Sequence, residues 1–364
     1  MWVVFFFSTV CVLFTYLESV GRMKHGMQWG FVLVTMLGCV HYNYGSDYMS
    51  YYEAYNTIAS TPFDFKLIFS GDGPYREPGW AIINYIFIPL GGFFMMVAVL
   101  NIIQNVFVYN FIKNNIKKEW WWISVFLYLF TYTLYPMNFS MMRQGFVVCA
   151  FLGMWPLIRE KKFWLTLPLI YILSTIHHSA LLLLPFAFWG YLKFRNLKLT
   201  GALFLVIILL LWLSKDFLDV TFGYFMGIGE VENYVDIYEN STSSGNKGIG
   251  FIIYQIPVFV SILYYFIAKD TSWDERSVVS LAMIGTMVLP FNGIIQLAGR
   301  MGIYFNIYKL FAIPCVFYTI KNQTFRYILL SLYILITLVD YYWFFTGAGW
   351  VETYGTFHTI FEAL

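Results

Sequence analysis

Three arginines lie in short polar stretches between apolar runs, where a guanidinium is suited to one kind of chemistry. Arg143 stands in NFSMMRQGFVV, Arg300 in QLAGRMGIYFN and Arg76 in GPYREPGW. A guanidinium is permanently charged and offers a planar fork of N–H donors that fits phosphate oxygens. Several arginines beside apolar segments therefore predict a site for a lipid pyrophosphate. Snorkelling at a membrane surface and ion pairing with an acidic residue are the alternatives for each arginine.

Two histidines and two acidic residues are candidates for proton transfer beside these arginines. His177 and His178 stand in LSTIHHSALLLLP, and Asp47 and Glu77 lie near the two ends of one polar segment. A histidine at the end of a span can act as a general base, bind phosphate or bind a metal. Adjacent histidines on a helix point about 100° apart, and the chain has no HExxH or DxD motif. We therefore expect no metal and no other cofactor. For Asp47 and Glu77, capping of the following helix stays an alternative role.

The composition predicts the environment of these residues. The chain has 364 residues, of which 60% are hydrophobic, 22% aromatic and 12% charged, with a mean hydropathy of +0.66. A typical soluble domain has about 25% charged residues, so a water-facing surface cannot be built from this supply. The net charge of +2 shows no basic excess, which argues against nucleic-acid binding. A polytopic membrane protein remains.

Apolar runs of the length needed to cross a bilayer, about 20 residues, recur along the chain. Twelve are present, several of them short: 1–17, 28–42, 91–112, 120–137, 143–158, 163–177, 178–192, 199–214, 249–268, 277–298, 301–320 and 326–345. Two assignments stay open, because 80–89 can form a half-helix and 163–192 can be one span or two hinged at His177 and His178. The positive-inside rule favours two spans, with both termini outside. It places the candidate residues on the outer, mostly acidic side.

Two predicted external segments, 43–79 and 215–248, interrupt the apolar runs. The first is dense in tyrosine and has helical, amphipathic spacing from Asp47 to Tyr55, which suits a helix lying in the membrane interface. Aromatic rings at this depth also stack on sugars. Since no internal repeat is visible, we predict a single transmembrane domain over 1–364 with these two external regions.

The order of five motifs resembles one family. The motifs are GSDYxxYY (45–52), REPG (76–79), MRQG (142–145), HHSA (177–180) and GRMxxYF (299–305). Together they resemble the EpsG family, multi-spanning bacterial proteins encoded with polysaccharide loci and similar to Wzy-type polymerases. The resemblance implies an all-α polytopic integral membrane protein with GT-C-like architecture. It would have about 12 transmembrane helices and short interfacial or re-entrant helices in its external loops.

The resemblance also implies a reaction. A Wzy-like polymerase acts at the outer, periplasmic face of the bacterial inner (cytoplasmic) membrane. It transfers a glycan from an undecaprenyl-pyrophosphate donor to the repeat unit on a second lipid carrier, the acceptor. Fixed arginines stabilise the leaving pyrophosphate electrostatically, so no metal is required. The implied partners are the lipid-linked donor and acceptor, the bilayer, a flippase and a chain-length regulator, but no nucleic acid.

The candidates that the topology places together on the outer face lead to a hypothesis about their roles. Arg143 and Arg300 would hold the pyrophosphate, with Arg76 as a third contact or as the partner of Glu77. His178 or His177 would bind phosphate or take the acceptor proton, and Asp47 or Glu77 is the alternative base. Five residues of these motifs are candidates for substrate binding: Arg76, Gln144, Tyr48, Tyr52 and Tyr304.

Two other functions use the same kind of lipid-linked substrate. A flippase or transporter would need external arginines and aromatic residues as well, but more charge along a central path and an inverted repeat would be expected. A ligase similar to O-antigen ligases shares the donor and differs in its acceptor. Because donor chemistry explains the arginines, the sequence separates polymerase from ligase poorly.

Overall fold

The computed structural model describes residues 1–193, 196–213, 260–269, 271–288, 302–347 and 350–362. Arg300 and the predicted external region 215–248 lie outside these residues. The described chain is helical almost throughout. Its two β-strands, His41–Tyr42 and His358–Thr359, are two residues long and pair antiparallel.

The continuous stretch 1–193 contains eleven α-helices, α1 to α11. They are α1 Trp2–Ser19, α2 Gly26–Val40, α3 Tyr48–Ala59, α4 Phe65–Ile68, α5 Pro78–Phe87, α6 Gly92–Asn115, α7 Trp121–Phe130, α8 Tyr135–Asn138, α9 Met142–Gly153, α10 Trp155–Arg159 and α11 Phe163–Ile176. Three 3₁₀ segments complete it: Gly73–Tyr75, Lys118–Trp120 and His178–Tyr191. The later helices are Leu197–Leu213, 260–267, Trp273–Val288, 302–306, Lys309–Thr319, Gln323–Thr346, Val351–Tyr354 and the 3₁₀ turn Ile360–Glu362.

Three of the described helices are long and apolar enough to cross a membrane: α1, α6 and Gln323–Thr346. Others are apolar but shorter, such as α2 with 15 residues. At 1.5 Å per residue, α2 rises about 22 Å, less than the roughly 30 Å of a hydrocarbon core. The chain is therefore an all-α membrane protein. The twelve-span count and the GT-C-like architecture stay predictions.

The two segments left open by the sequence each contain a break. The predicted half-helix is α5, which is followed by Gly91 and Gly92 at positive φ (109° and 78°). Glycine adopts this backbone without a Cβ clash, so the chain can turn sharply into α6. The stretch 163–192 breaks at His177, whose backbone is extended (φ −149°, ψ 112°). An α-helix precedes this break and a 3₁₀ helix follows it.

The apolar run 120–137 is not one helix, contrary to the sequence prediction. α7 ends at Phe130, and α8 begins only at Tyr135. Thr131 is extended (ψ 116°), and Pro136 stands in the first turn of α8, where its missing N–H is not needed. Apolar composition alone did not reveal this interruption.

The described residues form two compact units, Met1–Leu192 with Ser331–Leu364, and Lys193–Leu330. In the first unit α1 packs on α2 and α7, and α6 packs on α2 and α9. In the second, Trp273–Val288 packs on Lys309–Thr319. The prediction of a single transmembrane domain is not decided by this division.

Helix α3 shows which face of the first external region is buried. Its buried residues recur at helical spacing: Tyr48, Tyr51, Tyr55 and Ile58. Helix α3 also packs on α5. The predicted amphipathic helix is therefore present, and its tyrosine face is covered by protein.

Candidate active site

Glu77 is a buried carboxylate, 6% exposed, that binds groups from two distant segments. Its Oε2 accepts a hydrogen bond from Nη1 of Arg143. Its Oε1 lies 3.0 Å from Nδ1 of His177 and accepts the backbone N–H of His178 at 2.9 Å. One side chain thus joins the start of α5, the first turn of α9 and the junction that follows α11. We call Glu77, Arg143, His177 and Tyr51 the Glu77 cluster.

The REPG motif explains how the carboxylate reaches this place. Glu77 precedes α5 with an extended backbone (φ −123°, ψ 96°), and Pro78 occupies the first turn, where proline suits the helix. A Cβ on Gly79 would lie 2.9 Å from the carbonyl carbon of Thr175. Glycine therefore allows the start of α5 to approach the end of α11. This close approach brings Glu77 to His177.

Helix capping, the alternative role for Glu77, is not what its side chain does. Glu77 occupies the N-cap position of α5, but its carboxylate makes no capping hydrogen bond. Both oxygens are instead bound to Arg143, His177 and the His178 amide. The ion pair with an acidic residue, an alternative for the arginines, is present for Arg143.

Arg143 lies between Glu77 and a tyrosine of α3. Its Nε donates to the Tyr51 hydroxyl at 3.4 Å, and its Cζ lies 5.1 Å from the centre of the Tyr51 ring, within reach of a cation–π interaction. The Tyr51 ring in turn packs edge-on against Trp80, with centroids 5.6 Å apart. The Arg143 side chain is 31% exposed. Among the described residues, none accepts a hydrogen bond from its Nη2, so part of the fork is available to a ligand.

His177 is oriented by the carboxylate. An ionised carboxylate only accepts hydrogen bonds, so the proton between them belongs on Nδ1 of His177. In the neutral ring, Nε2 then carries a lone pair. This Nε2 is buried and has no hydrogen-bond partner in the described part of the chain. His178 differs, because its side chain is exposed and its backbone N–H binds Glu77.

The surroundings of Glu77 affect its pKa in opposite directions. Burial raises the pKa, whereas the hydrogen bond from His177, the charge of Arg143 and the His178 amide lower it. The net result is a pKa below the ordinary value of 4.5. Glu77 is therefore ionised at neutral pH, with both oxygens engaged. These are properties of a group that orients its neighbours, and the alternative role of Glu77 as a base stays a prediction.

Asp47 lies in a separate polar contact with the turn that precedes α9. Ser46 Oγ donates to the Asp47 carboxylate at 3.0 Å, and the Asp47 backbone N–H donates to Ser140 Oγ at 3.2 Å. Gly45 (φ 113°) packs so closely that a Cβ would lie 2.8 Å from Ser140 Cα. Asp47 precedes α3 without capping it by its side chain. These bonds tie the start of α3 to the turn that leads to Arg143.

The tyrosine candidates occupy different surroundings. Tyr48 is fully buried, and its hydroxyl donates to the backbone carbonyl of His41 at 3.2 Å. Tyr52 is half-buried, with its ring 5.2 Å from that of Phe93. Tyr304 is buried in the second unit. This geometry gives Tyr48 a packing position, and the substrate-binding role of all three tyrosines stays a prediction.

The remaining candidates are Gln144, Arg76 and Arg300. Gln144 is 2% exposed, and neither atom of its amide has a hydrogen-bond partner among the described residues. Arg76 is exposed and directly precedes Glu77. Arg300 lies outside the described residues. The structure thus brings Glu77, Arg143 and His177 together. The substrate contacts of Gln144, Arg76 and Arg300 stay predictions.

Sequence reasoning missed Tyr51 and Trp80. Tyr51 stands on the same helical face as Tyr48 and Tyr55, so the 3.6-residue period was a usable signal for a buried tyrosine at this position. The period does not say which charged group a buried tyrosine meets. That contact depends on α9, which is 92 residues away along the chain.

Comparison with known proteins agrees with the family resemblance. The chain matches the model of the EpsG family over residues 27–354. No curated protein and no solved structure matches the chain. The matched range contains every candidate residue named above, and it indicates a polysaccharide polymerase-type role in a membrane. The protein belongs to the EpsG family.

Proposed function

We propose that the protein polymerises lipid-linked oligosaccharide repeat units into a bacterial surface polysaccharide. The donor would be an undecaprenyl-pyrophosphate-linked glycan, and the site would face the periplasmic side of the inner membrane. The observation that carries this proposal is the Glu77 cluster. It combines a partly open guanidinium and an oriented imidazole, the two groups that such a transfer needs.

The proposed reaction is a glycosyl transfer. A hydroxyl of the acceptor sugar attacks the anomeric carbon of the donor and forms the new glycosidic bond. The bond between this carbon and the pyrophosphate oxygen breaks, and undecaprenyl pyrophosphate leaves with the electron pair. The hydroxyl proton passes to a base. The protein must therefore stabilise negative charge on the leaving group and accept one proton.

Arg143 is proposed to stabilise the leaving pyrophosphate. Its Nη2 has no partner among the described residues, whereas Nη1 and Nε are held by Glu77 and Tyr51. A donor fixed before the reaction needs no reorganisation when the charge develops, which is the basis of electrostatic catalysis. Arg300 is proposed as a second phosphate contact and Arg76 as a third.

His177 is proposed to accept the proton of the acceptor hydroxyl. Its Nδ1 is bound to Glu77, which favours the tautomer with a free lone pair on Nε2, as in carboxylate–histidine pairs of other enzymes. Arg143, Glu77 and neutral His177 together have a net charge of zero. Protonation of His177 raises this net charge to +1 as the negatively charged pyrophosphate leaves. The geometry supports His177 over His178, and it supports Glu77 as the group that positions both Arg143 and His177.

The surface glycan of a deletion strain tests the class of function. A polymerase predicts that the strain carries a single repeat unit on the final carrier, seen as one band on a gel, and that the wild-type gene restores the ladder. A long ladder retained on the undecaprenyl carrier would instead indicate a ligase. Repeat units trapped in the cytoplasmic leaflet would indicate a flippase. Either of these results contradicts the proposal.

A further inference from the structure

The turn between α3 and α5 displays three phenylalanines on the outside of the protein. Phe63 is 62% exposed, Phe65 65% and Phe69 53%. The rings of Phe65 and Phe69, four residues apart, lie with centroids 4.7 Å apart. We call residues 61–72 the phenylalanine turn. Aromatic side chains that are exposed together indicate a contact surface.

The phenylalanine turn is held in place by specific bonds. The Asp64 carboxylate caps α4 by accepting the Lys66 backbone N–H at 2.8 Å. The Tyr85 hydroxyl donates to the carbonyl of Thr61 at 3.3 Å. Beneath the turn, Ile68 is fully buried in a small core. These bonds hold the three phenylalanines on the outer side of the turn. The buried position on its inner side is occupied by Ile68.

The length of the neighbouring helix α6 predicts that this turn lies near a membrane surface. Helix α6 has 24 residues, a rise of about 36 Å, close to the roughly 30 Å of a hydrocarbon core. Its first residue, Gly92, therefore lies near one surface of the bilayer. Just before it, Ile86, Ile88 and Leu90 are 50%, 37% and 56% exposed, which suits contact with lipid.

The turn is continuous with this lipid-facing segment. The ring of Phe63 packs against the ring of Tyr85, with centroids 5.1 Å apart, and Tyr85 directly precedes Ile86. The charged residues of the turn, Asp64, Lys66 and Asp72, are exposed. A mixture of exposed aromatic and charged side chains is typical of segments that lie in the interface and do not cross the bilayer.

We propose that the phenylalanine turn inserts Phe63, Phe65 and Phe69 among the acyl chains at the membrane surface. This inference goes beyond the proposed function. The turn leads through Gly73–Tyr75 directly to Glu77, so its insertion sets the height of the Glu77 cluster above the bilayer. Within the first external region, residues 61–72 would therefore contact the membrane interface. The tyrosine face of α3 would not, because it is covered by protein.

Site-directed spin labelling of the full chain tests the insertion. The four native cysteines, which are buried or half-buried, are replaced by alanine, and the variants Phe65→Cys and Phe69→Cys each carry a nitroxide. The protein is reconstituted in vesicles of phosphatidylethanolamine and phosphatidylglycerol. Oxygen partitions into lipid, whereas a nickel chelate stays in water. Thr57→Cys, on the exposed face of α3, is the matched control.

We expect the labels at positions 65 and 69 to collide several-fold more often with oxygen than with the nickel chelate, and the label at position 57 to show the reverse. Equal behaviour of all three labels would overturn the proposal. So would protection of positions 65 and 69 from both reagents, which would indicate a covering protein. If the variant background does not fold, photocrosslinking from Phe65→benzoylphenylalanine in the native chain decides, and lipid must be the major adduct. These readouts do not depend on polymer synthesis.

Discussion

Two groups of buried polar side chains in the first unit differ in the charge of the groups that they hold. In the Glu77 cluster, the Nη2 of Arg143 and the Nε2 of His177 have no partner among the described residues. The second group, which we call the asparagine chain, is neutral and consists of Asn101, Asn105, Tyr128 and Asn138. It links α6, α7 and α8.

The asparagine chain is a series of hydrogen bonds among its own members. The Asn105 amide donates to the Asn101 carbonyl at 3.1 Å, and the Tyr128 hydroxyl donates to Asn105 Oδ1 at 3.0 Å. The Asn138 amide completes the series, 3.5 Å from the Tyr128 hydroxyl. Two of these residues lie within α6, a helix suited to crossing the membrane. Polar groups at such a depth must be paired inside the protein, because lipid offers no partners.

The difference separates a structural polar group from a chemical one. The bonds of the asparagine chain join three helices through neutral groups. The Glu77 cluster, in contrast, holds charged and ionisable groups in fixed orientations with donors and acceptors to spare. Burial of polar residues is therefore a weak guide to function here, and a charged or ionisable group held in a fixed orientation is the better one.

The largest effect is expected from Arg143→Ala. Loss of a preorganised donor at the leaving group should lower the polymerisation rate on the order of 10²–10³-fold, measured with the purified protein and a lipid-linked repeat unit. Arg143→Lys is the control, since it keeps the charge but not the planar fork, and it should recover only part of the rate. Full-length polymer at the wild-type rate from Arg143→Ala would show that the cluster is structural, like the asparagine chain.

The two adjacent histidines give a matched pair of variants. His177→Ala removes the oriented imidazole and should lower the rate about 10²-fold. His178→Ala keeps the backbone N–H that binds Glu77, so its rate should stay near that of the wild type. The same assay measures both. A larger loss in His178→Ala than in His177→Ala would move the proposed base to the exposed side chain.

Glu77→Gln should show a pH-dependent loss of stability. Because the folded pKa of Glu77 lies below 4.5, its bonds contribute stability above pH 4.5, and this contribution is lost as the pH falls through the folded pKa. We expect the variant to be destabilised by about 1–3 kcal/mol at neutral pH. The difference in melting temperature should shrink in acid. A constant difference from pH 7 to acid would contradict the ion pair.

The smallest effect is expected from Asn105→Leu. Breaking one member of the asparagine chain should destabilise the protein by about 0.5–1.5 kcal/mol, seen as a lower melting temperature in detergent. Polymerisation per folded molecule should not change. A loss of rate beyond the loss of folded protein would show that the asparagine chain also serves the reaction, and the comparison would fail.

The sequence pointed to the members of the cluster without joining them. Glu77, Arg143 and His177 each stood in a short polar motif, yet Glu77 is 66 residues from Arg143 and 100 from His177. For Glu77 the sequence left a role as base, helix capping and a pairing with Arg76 open. Tyr51 was missed in favour of Tyr48 and Tyr52, because spacing identifies the face of a helix but not the group packed against it.

What the sequence by itself determined is local. Its scarcity of charge and its apolar runs require a membrane protein made of helices, and Pro78 with Gly79 starts α5 where a second helix comes close. Only the tertiary structure decided that one carboxylate binds Arg143, the His177 ring and the His178 amide. Hydropathy and helix formation depend on neighbours along the chain, whereas the partner of a buried charge depends on which distant segments pack within 3 Å of it.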